Sequence, residues 1–250
     1  MPGKSKLKWI KSLQLKKYRI AEQCFTVQGW KGVSELLHSG AFEVPLVLAT
    51  EEFVPRVTSL SGAGTAIEAV TIRDLESLGS FQTNDSVLAV ARMREAGRPE
   101  AGRYPILMLD DIRDPGNMGT ILRTADWFGI RHVVVSETSV DFYNPKVINA
   151  SMGSFCRMQV HPTDLVSWLS DVRVPVLGTF LDGAPLQETP IHPAAVLVFG
   201  NESNGISPGV AERVTRRVTI PGTDGAESLN AAVAAGIVMY AWMTGAGRTA

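Results

Sequence analysis

The chain has 250 residues, of which 45% are hydrophobic and 20% charged, with a formal net charge of −1. That length can bury a sizeable core and is long for one domain. The composition is ordinary for a soluble globular protein, and a charge balance so near zero gives no prior for wholesale nucleic-acid binding. Cys24 and Cys156 are far apart and follow no ligand spacing, so they read as reduced thiols of a cytoplasmic protein. His38, His132, His161 and His192 are scattered without a Cys or carboxylate cluster, and no metal is expected. The longest apolar run, Leu229 to Met243, is too short and too Ala-rich to span a bilayer, and no signal peptide is evident.

Between Met1 and Ala21 there are seven basic residues, Lys4, Lys6, Lys8, Lys11, Lys16, Lys17 and Arg19, and no acidic one. Such a segment suits a polyanionic partner by counterion release, or is a solvated tail. Leu7, Ile10 and Leu13 give it an apolar side. Strands and helices then alternate: strand Cys24 to Gln28, helix Trp30 to His38, strand Pro45 to Ala49, helix Glu51 to Thr58, strand Ala69 to Ile72, helix Arg73 to Leu78, strand Ser86 to Ala91. The pattern is a small α/β sandwich. Gly62-Ala-Gly-Thr-Ala-Ile67 lacks the third Gly and the preceding strand of a dinucleotide loop, and reads as a flexible loop.

The polar, Gly- and Pro-bearing stretch Arg94 to Arg103 reads as a linker, giving domains of residues 1–93 and 104–250. Beyond it come strand Ile106 to Asp110, helix Asn117 to Phe128, strand His132 to Ser136, and a helix near Pro145 to Met152. Strand Cys156 to Val160, helix Thr163 to Ser170, strand Val174 to Phe180, strands at Val196 and Val218, and a final helix complete it. Strands separated by helical patterns predict a mostly parallel sheet with helices on both faces. The final helix, from Leu229 on, has Ser228 as its expected N-cap and Gly245 as its stop.

Three motifs stand out. Asp114-Pro-Gly-Asn-Met-Gly-Thr-Ile-Leu-Arg-Thr-Ala125 opens a helix directly off a strand, with Asn117 and Gly116 at its start, where anions bind. Met118, Ile121, Leu122, Ala125 and Phe128 form its apolar face, leaving Thr120, Arg123, Thr124 and Trp127 on the other. The turns Phe199 to Gly205 and Ile220 to Asn230 follow β-rich runs that end in Gly or Pro. At the carboxyl ends of parallel strands, two such turns make a pocket largely of backbone.

In order and spacing, N-x-G-x-x-x-R-T-A, G-x-E-x-x-G-[IL]-S and I-P-x₆-S-L-N-x-A-x-A resemble the SpoU/TrmH family of SPOUT-class RNA ribose 2′-O-methyltransferases. Asp141 to Gly153 is also similar to that family, and the resemblance covers residues 104–245. The first part resembles the family's substrate-binding domain through Lys17-Tyr18-Arg19, Phe25 to Gly29 and Glu35-Leu36-Leu37. The resemblance implies an α/β fold whose parallel sheet carries a C-terminal trefoil knot, and a homodimer built from the knotted region. It implies S-adenosylmethionine gripped by Thr179, Gly200, Asn201, Ile220, Pro221 and Leu229. Arg123, Asn117, Ser228, Asn230 and Glu202 are the implied catalytic set, with Lys16, Lys17, Arg19 and Lys146 as candidate RNA contacts. The chain differs from the family's common pattern at Gly222, at Gly225 and at Asn149.

The implied reaction is attack of an RNA 2′-oxygen on a sulfonium methyl. Arg123 is the family's assigned base, yet a guanidinium is always protonated and accepts no hydrogen bond. Orienting the ribose through its phosphate and steadying an oxyanion suit it better. Ser228 is a helix cap or a substrate contact, or both, and Glu202 tethers the knot or reaches a basic group. Asp110 and Asp111 read as strand end and turn. Structured ribosomal RNA is the expected substrate; transfer RNA, or a non-catalytic role in RNA binding or ribosome assembly, are the alternatives.

Overall fold

Hydrophobic residues recur at helical spacing from Leu7, and in the computed structural model they form α1 (Lys4–Ser12) and α2 (Lys16–Glu22). The structure describes residues 2–79, 84–223 and 228–244. The chain continues through β1 (Cys24–Gln28), α3 (Trp30–Ser39), β2 (Leu46–Ala49), α4 (Val54–Leu60), β3 (Ala66–Ala69), α5 (Ile72–Leu78) and β4 (Val87–Arg92). A second sheet begins with β5 (Ile106–Leu109), α6 (Pro115–Trp127) and β6 (His132–Ser136). After α7 (Pro145–Ala150) and a 3₁₀ turn at Ser154–Cys156 come β7 (Gln159–Thr163), α8 (Leu165–Ser170), β8 (Val176–Pro185) and β9 (Val196–Phe199). The chain closes with α9 (Pro208–Ala211), β10 (Arg216–Thr219) and α10 (Ala231–Thr244).

Two units result. Met1–Arg94 and Asp141–Arg157 form the first, Glu95–Val140 and Met158–Ala250 the second. The first has a sheet of order β1-β4-β2-β3, with β4 antiparallel to both neighbours and β2 parallel to β3. Alternation along its strands supplies two cores. Leu46, Leu48, Leu88 and Val90 face Ile10, Leu13, Leu75 and Leu78. Val47, Ala49, Val87 and Ala89 face Val33, Leu36 and Val57, together with Tyr143, Ile148, Phe155 and Cys156 from the later segment. Phe25 meets Tyr143, Phe42 and Phe155 at ring-centroid distances of 4.7, 5.3 and 6.1 Å. Burial pushes the Cys156 thiol up to about 11.

Arg19 is only 2% exposed, which corrects its expected place among surface RNA contacts. Its guanidinium donates to Asp141 Oδ2 at 2.6 and 3.1 Å and to the carbonyls of Leu13 and Gln14 at 2.9 and 2.8 Å. The residue therefore fastens α2 to the later segment. Asp141→Ala leaves that cation buried without its counter-charge and is expected to lower the unfolding free energy by about 3 kcal/mol, read from urea denaturation.

Several predicted bounds shift for local reasons. The strand expected at 69–72 lies at β3 instead. Thr71 and Asp74 form a reciprocal cap that starts α5 at Ile72. The strand expected at 156–160 begins at Gln159, because Ser154–Cys156 is a buried turn of the first unit. The strand expected to stop at Phe180 runs to Pro185. Residues 95–103, read as a linker, are tied along the second unit: Arg98 donates to Asp171 at 2.7 Å, and His161 meets the Ala96 carbonyl at 3.2 Å.

The second unit's sheet has the order β10-β8-β9-β5-β6-β7, every pair parallel. β5, β6 and β9 are near-continuous apolar runs, as strands covered on both faces must be. No helix among the described residues is long and apolar enough to cross a membrane.

Candidate functional site at the strand ends of the second unit

Parallel strands bring their carboxyl ends to one rim, and β10, β8 and β9 are adjacent. β8 and β10 pair in two stretches: Leu177 and Gly178 face Arg216 and Arg217, then Ala184 and Pro185 face Val218 and Thr219. Residues 179–183 bulge out between them. Thr179 Oγ1 donates to the Val198 carbonyl at 3.2 Å, and Thr219 Oγ1 to that of Leu181 at 3.2 Å. Ile220 and Pro221 leave the sheet directly after β10.

At the end of β9, Gly200 enters a turn closed by Asn201 and Gly205, whose main chains exchange hydrogen bonds at 3.0 and 2.9 Å. A Cβ on Gly200 would lie 2.2 to 2.3 Å from the backbone of Gly205 and Ile206. Asn201 Oδ1 accepts from the main-chain N–H groups of Ser203 and Asn204, while its Nδ2 donates to the Asp111 carbonyl at 2.9 Å. Buried Asp110 accepts from the Ser207 main-chain N–H at 2.7 Å. The expectation that these aspartates finish a strand and turn thus holds, with an added duty: they fasten the Gly200 turn. Asp111 does so at a φ of +57°, a conformation strained for a side-chain-bearing residue.

The three motifs meet through carboxamides. Asp114 caps α6 by accepting from the Asn117 main-chain N–H at 2.7 Å. Asn117 Nδ2 donates to Glu202 Oε1, and Asn117 Oδ1 accepts from Asn230 Nδ2 at 2.9 Å. Because a carboxylate only accepts, Glu202 sets which way the Asn117 amide faces, and that orientation in turn selects the Asn230 donor. Asn230 Oδ1 accepts from the main chain of Ala232 and Val233. Asn230, not Ser228, therefore caps α10, which begins two residues later than expected. Ser228 and Leu229 are exposed beside it. Gly245 and Gly225 lie outside the described residues.

Arg123 projects from α6 into solvent, and among the described residues no hydrogen bond or ion pair holds its guanidinium. Its neighbour on that helix, Trp127, is 85% exposed. α10 packs on α6, with Phe128 and Tyr240 rings 6.3 Å apart, yet leaves Val233, Ile237 and Tyr240 substantially exposed. Together these residues give the second unit an open apolar face. In the first unit Lys16, Lys17 and Lys146 are exposed, as is Tyr18, whose ring carries the Lys17 ammonium 4.8 Å from its centroid. Among the described residues no cluster of His, Cys, Asp and Glu suits a metal.

Comparison with known proteins agrees with both halves of this description. Residues 104–240 match the SpoU rRNA Methylase family, and residues 4–89 match the MRM3-like substrate binding domain. The chain is 32% identical over 241 residues to the 23S rRNA (guanosine(2553)-2′-O)-methyltransferase RlmP of Bacillus subtilis, covering 94% of each chain. A TrmH-family protein from Porphyromonas gingivalis superposes with a TM-score of 0.89 at 38% identity, covering 98% of this chain and 99% of that one. An AdoMet-bound rRNA methyltransferase from Sinorhizobium meliloti superposes with a TM-score of 0.86 at 26% identity, covering 96% and 94%. A family match over more than half its length, with a relative aligned almost end to end, makes this chain a member of the SpoU rRNA methylase family.

Proposed function

We propose that the protein transfers a methyl group from S-adenosylmethionine to a ribose 2′-oxygen of ribosomal RNA. The observation that carries this reading is the Glu202–Asn117–Asn230 carboxamide array at the rim that also bears the Gly200 turn. Two of the relatives named above supply the substrate class: RlmP and the Sinorhizobium meliloti enzyme are named for rRNA, and RlmP for a guanosine 2′-oxygen. The rim fits the cofactor. Gly200 leaves main chain uncovered where any side chain would intrude, and exposed Leu229 with Ile220 offers apolar surface to an adenine. Thr179, Asn201 and Pro221 complete the proposed cradle.

When bound, S-adenosylmethionine supplies an electrophilic methyl on a sulfonium. The residues must then orient the ribose and stabilise charge as the hydroxyl loses its proton. Arg123, which makes no hydrogen bond or ion pair among the described residues, pairs with an RNA phosphate and steadies the developing oxyanion. A phosphate oxygen so held accepts the hydroxyl proton, since the guanidinium cannot. Asn117 and Asn230 position the sugar, Ser228 contacts it from the start of α10, and Glu202 keeps the amides aligned.

The open face of α6 and α10 is the proposed homodimer interface, because a helix that stays apolar on its outer side needs a partner. The late-sequence strand β9 lies between β5 and β8, consistent with a C-terminal segment that threads to form the trefoil knot. Lys16, Lys17 and Lys146 are proposed to meet RNA phosphates, and the cytoplasm is the proposed compartment. The test is labelled methyl transfer to RNA from cells lacking the protein, with the ribose mapped. Label in ribosomal RNA at a single 2′-oxygen is expected. Label confined to transfer RNA, or absent while S-adenosylhomocysteine still binds, overturns the reading.

A further inference from the structure

β6 has no part in the chemistry above, yet the residues that end it reach the same rim. Pairing of β5 with its two neighbours ends at Leu109, which faces Val135 of β6 and Phe199 of β9. Asp110 still donates its main-chain N–H to the Phe199 carbonyl at 2.9 Å. Asp111 then leaves the ladder at a φ of +57°. Main-chain groups taken out of a sheet must be matched elsewhere, and two serine hydroxyls do so here. Ser136 Oγ accepts from the Asp111 N–H at 2.8 Å, and Ser139 Oγ accepts from the Ile112 N–H at 3.1 Å.

The two hydroxyls are held in turn. Ser139 is 7% exposed and donates to the Leu109 carbonyl at 3.4 Å. With that proton committed, Ser136 donates its own to Ser139 Oγ at 2.8 Å or to Thr138 Oγ1 at 3.1 Å. A peptide unit is planar, so gripping an N–H fixes the carbonyl that shares its plane. Ser136 grips the plane before the Asp111 Cα, and Ser139 the plane after it. The second plane carries the Asp111 carbonyl, which accepts from Asn201 Nδ2 at 2.9 Å. An unbroken line of hydrogen bonds thus runs from β6, through a residue in a seldom-adopted conformation, to the Gly200 turn. All of it lies within the second unit.

We propose that Ser136 and Ser139 are positioning residues for the methyl donor. By fixing both peptide planes of Asp111 they hold its carbonyl on Asn201, and so keep the Gly200 turn in its cofactor-binding shape. This inference rests on the cofactor cradle proposed above.

Calorimetry with S-adenosylhomocysteine on the full chain tests it. Ser136→Ala and Ser139→Ala should each bind about three- to tenfold more weakly than wild type, the size of one net hydrogen bond, at unchanged stoichiometry. A serine that served stability alone would lower the fraction of competent protein, and hence the stoichiometry, without changing the affinity of the folded remainder. Ser136→Thr keeps the accepting oxygen and suits a strand end, so it should restore the affinity. Asn201→Asp keeps an acceptor for the Ser203 and Asn204 N–H groups but replaces the donor to Asp111 with an oxygen, and should itself bind weakly. Adding either alanine to it should cost less than about a further twofold, because residues that act through one another do not add. Should Ser139→Ala fail to fold, Ser136→Ala carries the comparison. Wild-type affinity in the alanine variants, a fall in stoichiometry alone, or Ser136→Thr as weak as Ser136→Ala overturns the inference. So do alanine losses that persist in full beside Asn201→Asp. If Asn201→Asp binds weakly and the serine variants bind as wild type, the cradle stands and this inference falls alone. If Asn201→Asp binds as wild type, the cradle reading falls with it.

Discussion

Arg123→Ala should slow methyl transfer to ribosomal RNA by about 100- to 1,000-fold, the cost of removing one preorganised stabiliser of a developing oxyanion. The side chain is exposed and makes no hydrogen bond or ion pair among the described residues, so its removal should leave stability within about 0.5 kcal/mol of wild type. S-adenosylhomocysteine should bind the variant as it binds wild type, measured by calorimetry. Arg123→Lys tests the kind of help given. A point charge still meets a phosphate but loses the planar fork, so an intermediate rate is expected. Equal turnover by wild type and Arg123→Ala would remove the guanidinium from the mechanism.

Gly200→Ala is expected to cost about 2–3 kcal/mol of unfolding free energy and at least about tenfold in S-adenosylhomocysteine affinity. The added methyl meets main-chain atoms of Gly205 and Ile206 at 2.2 to 2.3 Å, and backbone cannot rotate away as a side chain can. Opening the turn breaks the paired Asn201 and Gly205 bonds and displaces the segment that Asn201 ties to Asp111. Gly205→Ala is the matched control. It faces open space and carries only the strain of a φ of +67°, so a loss of about 1 kcal/mol is expected, with the analogue still bound. Urea denaturation and calorimetry on the pair separate crowding from backbone strain. Equal behaviour of the two variants would show that close approach at Gly200 is not what shapes the rim.

Much of this arrangement was legible in the chain because short-range chemistry wrote it. The turn at Gly200, the helix opening at Asn117 and the parallel order of strands follow from Gly, Asn and β-branched runs at fixed offsets. The cap of α10 was misread because Ser228 and Asn230 are both good N-caps. The choice fell to Asn230 through its tie to Asn117, a residue 113 positions away that no local pattern reveals. Arg19 was misread for the same reason: within a run of lysines it looks solvated, and only a partner at Asp141 makes its burial tolerable. The strand at 156–160 failed because Phe155 and Cys156 are apolar for the first unit's core rather than for the second unit's sheet. The course of β8 past Phe180 was not legible because Asp182-Gly183 reads as a turn, and only the pairing of Ala184 and Pro185 with β10 returns the chain to the sheet.

The segment Asp141–Arg157 has a consequence for how the polypeptide comes off the ribosome. Tyr143, Ile148, Phe155 and Cys156 complete a core whose other members are all made before residue 94. A nascent chain released from the exit tunnel only as far as the first boundary would show Phe25, Phe42 and Val47 to water, and would wait for some sixty further residues before covering them. Assembly of the amino-terminal module is thus timed by synthesis of its neighbour, and a fragment cut at residue 94 should be sticky and protease-sensitive rather than an independent domain.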